Sequence, residues 1–578
     1  MRRLLSCLVA VLAPSVLAGC VSLPEDGPVV QGRVVEQQDA RRASDIDAQP
    51  PRKGASRTEV VTGFLDAMTS WPIRTNVAKQ FLTDDAADQW EPERGTVVYT
   101  DARPARDLGG DVRVQLTTAA RLDAVGAWHG AVPETDLTLS FQVTVEDGQY
   151  RITDPPNARI VPATWFQQRY RQVSLYYFDP LAKILVPEPV FVPEGAQLAT
   201  TLVSALLSGP PPRVRGIVRT FIPSGLSVGL SVPVDVEGIA DVNLVGNAPK
   251  LSSDEAELLL DQLAWTLRQD STIRAIRVRI GDTQVPVPGG ASTYPVDSAQ
   301  DLDPAGDTAT SQLFALSGGR LLSGGKGGVT PVTGAFGRAG ADLVSVATTT
   351  DGEHAAAVDR DGRRVRLALV DDPSKAAPQT LLTSSGTFAR PTWDHAGRLW
   401  LLERRGAGAV VWTVEDGRPR QVEVPGITGQ RARQLLVSRD GTRVVGVVRT
   451  GQGDELRGAR VRISGRGQVA SAGEPWVVRP ARDTRVVDLA WTSPIRVAML
   501  TSAQPRSLYE VDVVPVDGSS LGVDTLSTIV PGHVLGLAGA PTAGAATYAV
   551  FADRYTDIVT QDEYDAGSAT LSDLDYAG

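Results

Sequence analysis

From residue 309 to the C-terminus the chain repeats one pattern: a short apolar strand, a turn residue, then a second apolar strand. The turns fall at Asp351-Gly352, Asp394, Asp440-Gly441, Ser493-Pro494 and Pro541, spaced by 43, 46, 53 and 48 residues. Strands of this kind cannot bury their apolar faces alone, so each copy needs a neighbour on both sides. The pattern predicts a β-propeller over 309–578. Five repeats are legible, and residues 311–332 supply strands for a sixth or close the ring, for about six blades. A pair of β-sandwiches is the alternative all-β arrangement. Trp393 and Trp491 occupy equivalent strand ends in two repeats, which predicts that they fill core.

Composition narrows the chemistry. The 578 residues contain four histidines, at 129, 354, 395 and 533, and two cysteines, Cys7 and Cys20. Scattered histidines offer no zinc-ligand spacing, and two cysteines within twenty residues cannot staple a chain of this length. No metal site, cofactor site or catalytic constellation is expected. A net charge of −10 argues against a nucleic-acid partner, which requires a basic face. Apolar residues at 42% and charged residues at 21% describe a folded chain. Lysine occurs at only six positions and arginine supplies the remaining positive charge, which fits codon usage in a GC-rich genome.

The first twenty residues account for both cysteines. Arg2 and Arg3 precede an apolar run from 4 to 17, too short to span a bilayer and suited to a secretory signal. The run exits through Leu17-Ala18-Gly19-Cys20, which looks like a bacterial lipobox. In that chemistry the Cys20 thiol carries a diacylglycerol, its amine is acylated after cleavage, and the small residues Ala18 and Gly19 admit the peptidase. Residues 1–19 are thus the expected signal peptide. Residues 20–54, rich in proline and charge, are the expected tether holding the folded part off the extracytoplasmic membrane face.

Two α+β segments are expected between tether and propeller. Residues 55–168 open with a helical face of Val60, Val61, Phe64, Leu65 and Met68. They continue in antiparallel strands, with Asp147-Gly148 as a hairpin turn. The order is similar to a nuclear-transport-factor-like (NTF2-like) cone. Residues 169–285 contain strands near 173–178 and 184–192, a helix over 198–207 stopped by Ser208-Gly209-Pro210, and an alternating strand over 226–234. A capping box of Ser252 and Glu255 starts a second helix, and a strand near 276–280 closes the segment. Residues 286–308, rich in Pro, Gly and Asp, read as a linker. Gly225-Leu226-Ser227-Val228-Gly229 matches the G-x-S-x-G nucleophile elbow in letters only. An elbow turns from strand into helix, whereas the period-two alternation continues past Ser227 and leaves it on a polar strand face.

Taken in order, these features resemble the actinobacterial LpqB lipoprotein family. The carrying elements are the lipobox, the helix over 60–68, Leu206-Leu207-Ser208-Gly209-Pro210, Ile222-Pro223-Ser224-Gly225, Asp261-Gln262-Leu263-Ala264-Trp265-Thr266-Leu267, and the propeller. The middle segment resembles the GerMN domain of spore-germination lipoproteins. The resemblance implies a non-enzymatic, membrane-anchored accessory that contacts the extracellular domain of a sensor histidine kinase of the MtrB type. It further implies modulation of MtrAB-like signalling in envelope homeostasis and division. Cys20 is the one functional position it transfers. A cell-wall glycan- or peptide-binding lipoprotein is the alternative, with Trp393, Trp400, Trp412 and Trp491 as candidate sugar platforms.

Overall fold

Six antiparallel sheets of four or five strands occupy residues 313–576 of the computed structural model. The structure describes residues 47–578 apart from 248, 307–310, 375, 505, 520–526 and 543. Leu17, Ala18, Gly19, Cys20 and most of the expected tether lie outside the described residues. The innermost strands follow one another in a closed cycle: Leu343–Thr348, Thr392–Trp393, Ala432–Val437, Arg485–Ser493, Gly536–Ala538 and Leu571–Tyr576. The sheet containing Leu313–Ser317, Arg320–Gly325 and Gly328–Pro331 takes its innermost strand from the C-terminus, Leu571–Tyr576. Chain start and chain end thereby share one sheet. We number the sheets along the ring from this one.

Side-chain alternation along each strand feeds two different interfaces. Leu313 and Ala315 pack toward the sixth sheet, Phe314 and Leu316 toward the second. Six apolar clusters result, one between every adjacent pair of sheets. The five anchor positions all lie at the turn from an innermost strand to its neighbour. Asp351, Asp394 and Asp440 recur there because the carboxylate closes the turn. Oδ1 accepts the amide two residues on, from Glu353 at 2.9 Å, Ala396 at 3.0 Å and Thr442 at 2.8 Å.

The N-terminal domain has a helix, Arg57–Ala67, with a capping box of Ser56 and Glu59, against two four-stranded sheets. Phe64 is fully buried, 5.2 Å from Trp90 and 6.1 Å from Phe141 between ring centroids. This domain meets the next one at Gly126. Its φ is +85°, and a Cβ there would lie 2.1 Å from the Phe191 carbonyl oxygen, so only glycine fits.

The middle domain packs helices Leu198–Leu207 and Ser253–Leu267 against a five-stranded sheet. The Ser252–Glu255 capping box is present, and Gly209 takes the left-handed conformation after the first helix. Two expectations need correction. The alternating run over 226–234 is not one continuous strand: it pairs at Ser227–Val228 and again by a single bridge from Val234 to Ala240, and between them Leu230 stands fully in solvent. The expected linker at 286–308 is partly sheet: Tyr294–Pro295 pairs with Ala275–Ile280. Tyr294 is also buried and donates to Asp261 Oδ1 at 2.5 Å, so this stretch completes the middle domain's core.

Candidate functional site

Prolines 187, 189 and 193 lie within strand Leu185–Pro193, which pairs on one side with Tyr170–Phe178. Odd-numbered residues there turn their backbone groups to the other side, as Phe191 does when its amide donates to Gly126. Proline lacks an amide hydrogen, so this outer edge offers carbonyl acceptors without matching donors. The propeller meets it with arginines. Arg443 Nη2 donates to the Pro187 carbonyl at 3.2 Å, and Arg460 pairs with the Glu188 carboxylate. Arg443 and Arg460 are both almost wholly buried. Burial pulls both guanidinium pKa values down, that of Arg460 to about 9, while Asp517 opposes the shift. Gln172 adds a bond to Asp517 Oδ2 at 3.1 Å, and Arg213 lies over the Trp476 ring at 5.5 Å. The middle domain is thus seated on one end of the fourth and fifth sheets.

The other end of the ring opens into the axial channel. A cavity of about 270 Å³ lies there, lined by the innermost strands of the first, second, fourth and fifth sheets and by Arg390 and Leu535, just ahead of those of the third and sixth. At its wall Arg390, from the third sheet, binds three carboxylates. Its Nη2 donates to Asp488 at 2.9 Å and Asp573 at 3.0 Å, and its Nη1 to Asp575 at 3.2 Å. Those acids come from the fifth and first sheets, so one guanidinium ties three blades across the axis. Each carboxylate also accepts a backbone amide: Leu537 to Asp488, Leu574 to Asp573 and Tyr576 to Asp575. Burial alone would lower the Arg390 pKa, but the three acids outweigh it and hold the charge firmly. Burial lifts Asp575 to about 7, against the pull of Arg390 and with help from Asp573 and Asp488. Three acids on one cation leave two excess negative charges, and the raised Asp575 relieves part of that excess by binding a proton.

The remaining sequence candidates are distributed differently. Trp393 and Trp491 are buried, and each indole donates to the preceding sheet's innermost strand, at Ala347 (3.1 Å) and Val437 (2.8 Å). Trp400 is fully buried on Asp394, and Trp412 donates to Glu403. The two equivalent tryptophans therefore fill core, as their repeat positions predicted, Trp400 is enclosed as well, and Trp412 is half-buried. Ser227 is exposed on its short strand, paired with Val245, which is the strand setting expected in place of an elbow. Among the described residues no group of His, Cys, Asp and Glu is placed to hold a metal ion, and no helix is long and apolar enough to cross a membrane. The Arg390 cluster and the domain seat were not legible beforehand, since both assemble residues more than ninety positions apart.

Comparison with known proteins follows the same division of the chain. Residues 50–167 match the model for the LpqB lipoprotein N-terminal domain, 174–286 the sporulation and spore germination model, and 319–547 the LpqB beta-propeller domain. Lipoprotein LpqB of Mycobacterium bovis (strain BCG / Pasteur 1173P2) is 28% identical over 575 residues, covering 92% of both chains. That of Thermobifida fusca (strain YX) is 26% identical over 563 residues, covering 87% of this chain and 88% of its own. Among solved structures, TolB from Acinetobacter baumannii aligns with 57% of this chain and 86% of its own at 10% identity and a TM-score of 0.33. With three domain matches in this order and relatives of this name along nearly the whole length, the chain belongs to the LpqB lipoprotein family.

Proposed function

We propose that this lipoprotein is a membrane-tethered, non-enzymatic accessory that biases a two-component sensor kinase of the MtrAB type during envelope homeostasis and division. The tether is the lipid on Cys20, and the partner is the kinase's extracytoplasmic domain. The observation that carries the reading is the seat of the middle domain on the propeller. Buried ion pairs join the two, so the middle domain and the propeller form one scaffold that leaves the propeller's other face open to a partner. A propeller on such a scaffold suits protein recognition, because its surface turns project from a core that does not yield.

The test is association of the purified sensor ectodomain with residues 47–578, together with kinase output in cells lacking the chain. Binding with altered output on deletion is the expected result. Absence of both overturns the reading.

A further inference from the structure

The channel end of the propeller, away from the middle domain, carries an unusual concentration of arginine for a chain of net charge −10. Arg431, Arg433, Arg449 and Arg482 lie at one end of the fourth sheet, Arg404 at the same end of the third, and Arg485 at the start of the fifth sheet's innermost strand. Backbone pairing holds them together: the Arg449 amide donates to the Arg431 carbonyl at 3.0 Å, and Arg482 pairs with Asp454, which itself pairs with Arg449. Arg443, under the middle domain, is six residues from Arg449 on one strand, so the two faces lie about 20 Å apart.

Few acids answer these cations. Asp454 is buried and serves Arg433 at 3.5 Å and Arg449 at 3.1 Å, while Glu403 is buried and taken by Arg405. Among the described residues no carboxylate pairs with Arg404, Arg431, Arg482 or Arg485. Burial, and then repulsion from Arg485, Arg449 and Arg404, pulls Arg433 below the ordinary arginine range despite the opposing pull of Asp454. A second negative partner placed here would relieve that repulsion.

The centre of the face is different in kind. Arg404 and Arg433 line the same cavity as Val344, Val487 and Leu535, and Val344 is 49% exposed. Gln434 Oε1 and Ser345 Oγ are buried on the same cavity without hydrogen-bond partners. A polyanion or a phosphate headgroup would be drawn to the arginine rim but repelled from the centre by Asp488 and Asp573. A protein surface separates the two demands, with an amphipathic aromatic anchor at the centre and carboxylates around it.

We propose that this arginine face docks an acidic protein surface, which seats a Tyr or Trp side chain at the channel mouth beside Val344. The anchor's ring covers Val344 and Leu535 at the mouth of the cavity. The partner's carboxylates pair with Arg404, Arg433 and Arg485 as planar two-point contacts. This deepens the accessory reading, on which the identity of the partner rests.

The experiment uses the full-length chain in cells with photoreactive p-benzoylphenylalanine replacing Val344, and purified 47–578 titrated against the sensor ectodomain. The expected results are a Val344 adduct with the sensor kinase and at least tenfold weaker ectodomain binding for Arg404→Glu/Arg485→Glu. Arg466→Glu, on an exposed turn at the other end of the fourth sheet, should bind as the wild type does. Equal thermal unfolding of the three proteins shows that charge rather than folding is read. Wild-type binding that the double reversal leaves intact overturns the face and spares the kinase reading. A Val344 adduct with another protein, abolished by the double reversal, overturns the kinase and upholds the face. An adduct with lipid alone, or none, overturns the face.

Discussion

The carboxylate of Glu188, on a proline-rich hairpin of the middle domain, pairs with the guanidinium of Arg460 in the fourth propeller sheet, with both groups buried. Glu188 also lies 3.6 Å from Arg443. One carboxylate thus answers two interior cations drawn from another domain. Glu188→Ala leaves both guanidiniums without it, and removing one partner of a buried pair costs about 3–5 kcal/mol. The expected outcome is earlier unfolding with separate calorimetric transitions for the propeller and the N-terminal half. A single transition at the wild-type temperature would show that the pair does not hold the domains together.

Arg390 is the corresponding tie within the ring. Arg390→Met removes the cation shared by Asp488, Asp573 and Asp575 and should lower stability by about 3–5 kcal/mol near neutral pH. The loss should shrink at acid pH, where Asp573 and Asp575, both raised by burial, bind protons. Equal loss at pH 5 and pH 8 would argue against uncompensated charge as the cause.

Asp575 gives the channel a pH dependence of definite sign. Its carboxyl is raised from 3.8 to about 7, so the native state retains a proton that the unfolded chain releases. The stabilisation from this group is complete below about pH 4 and is lost as pH rises through 7. Asp575→Asn should flatten the decline in unfolding temperature between pH 5 and pH 8. An unchanged slope would assign the decline to other groups.

Trp491 separates a structural from a sugar-binding role. The side chain is 7% exposed and its indole bonds the neighbouring sheet, so Trp491→Ala should cost about 3–5 kcal/mol. Cell-wall glycan retention by protein that remains folded should not change. Loss of retention with unaltered thermal stability would revive the glycan reading.

Cys20→Ala tests the anchor without touching the folded domains. Membrane fractionation should find the variant soluble, because each buried methylene of the lost lipid contributes about 0.8 kcal/mol to anchoring. Continued sedimentation with membranes would require another means of attachment.

Much of the architecture is written locally. Ser252 and Glu255 start a helix because their side chains satisfy the first free amides within one turn, and Gly209 stops another because it adopts φ +78°. Asp351, Asp394 and Asp440 mark the ring because an aspartate can bond the amide two residues ahead. Such signals depend on neighbours a few positions away, so strand order and repeat length could be read from the letters. The errors arose where local pattern met distant constraint. Leu230 keeps the alternation of a strand without any partner to pair with, and Tyr294 lies in a loop-like composition yet completes a distant sheet.

The sequence by itself determined the α+β, α+β, propeller order, the turn chemistry of the ring, and the candidate lipid attachment at Cys20. The tertiary structure decided how charge is spent. Arginine abundance looks like codon usage along the chain. In space, Arg443 and Arg460 bind an edge that prolines have stripped of donors, Arg390 clamps three acids, and Arg404 and Arg485 face solvent together. Coulomb and hydrogen-bond energies depend on distances across sheets, and those distances exist only once the C-terminal strand closes the ring.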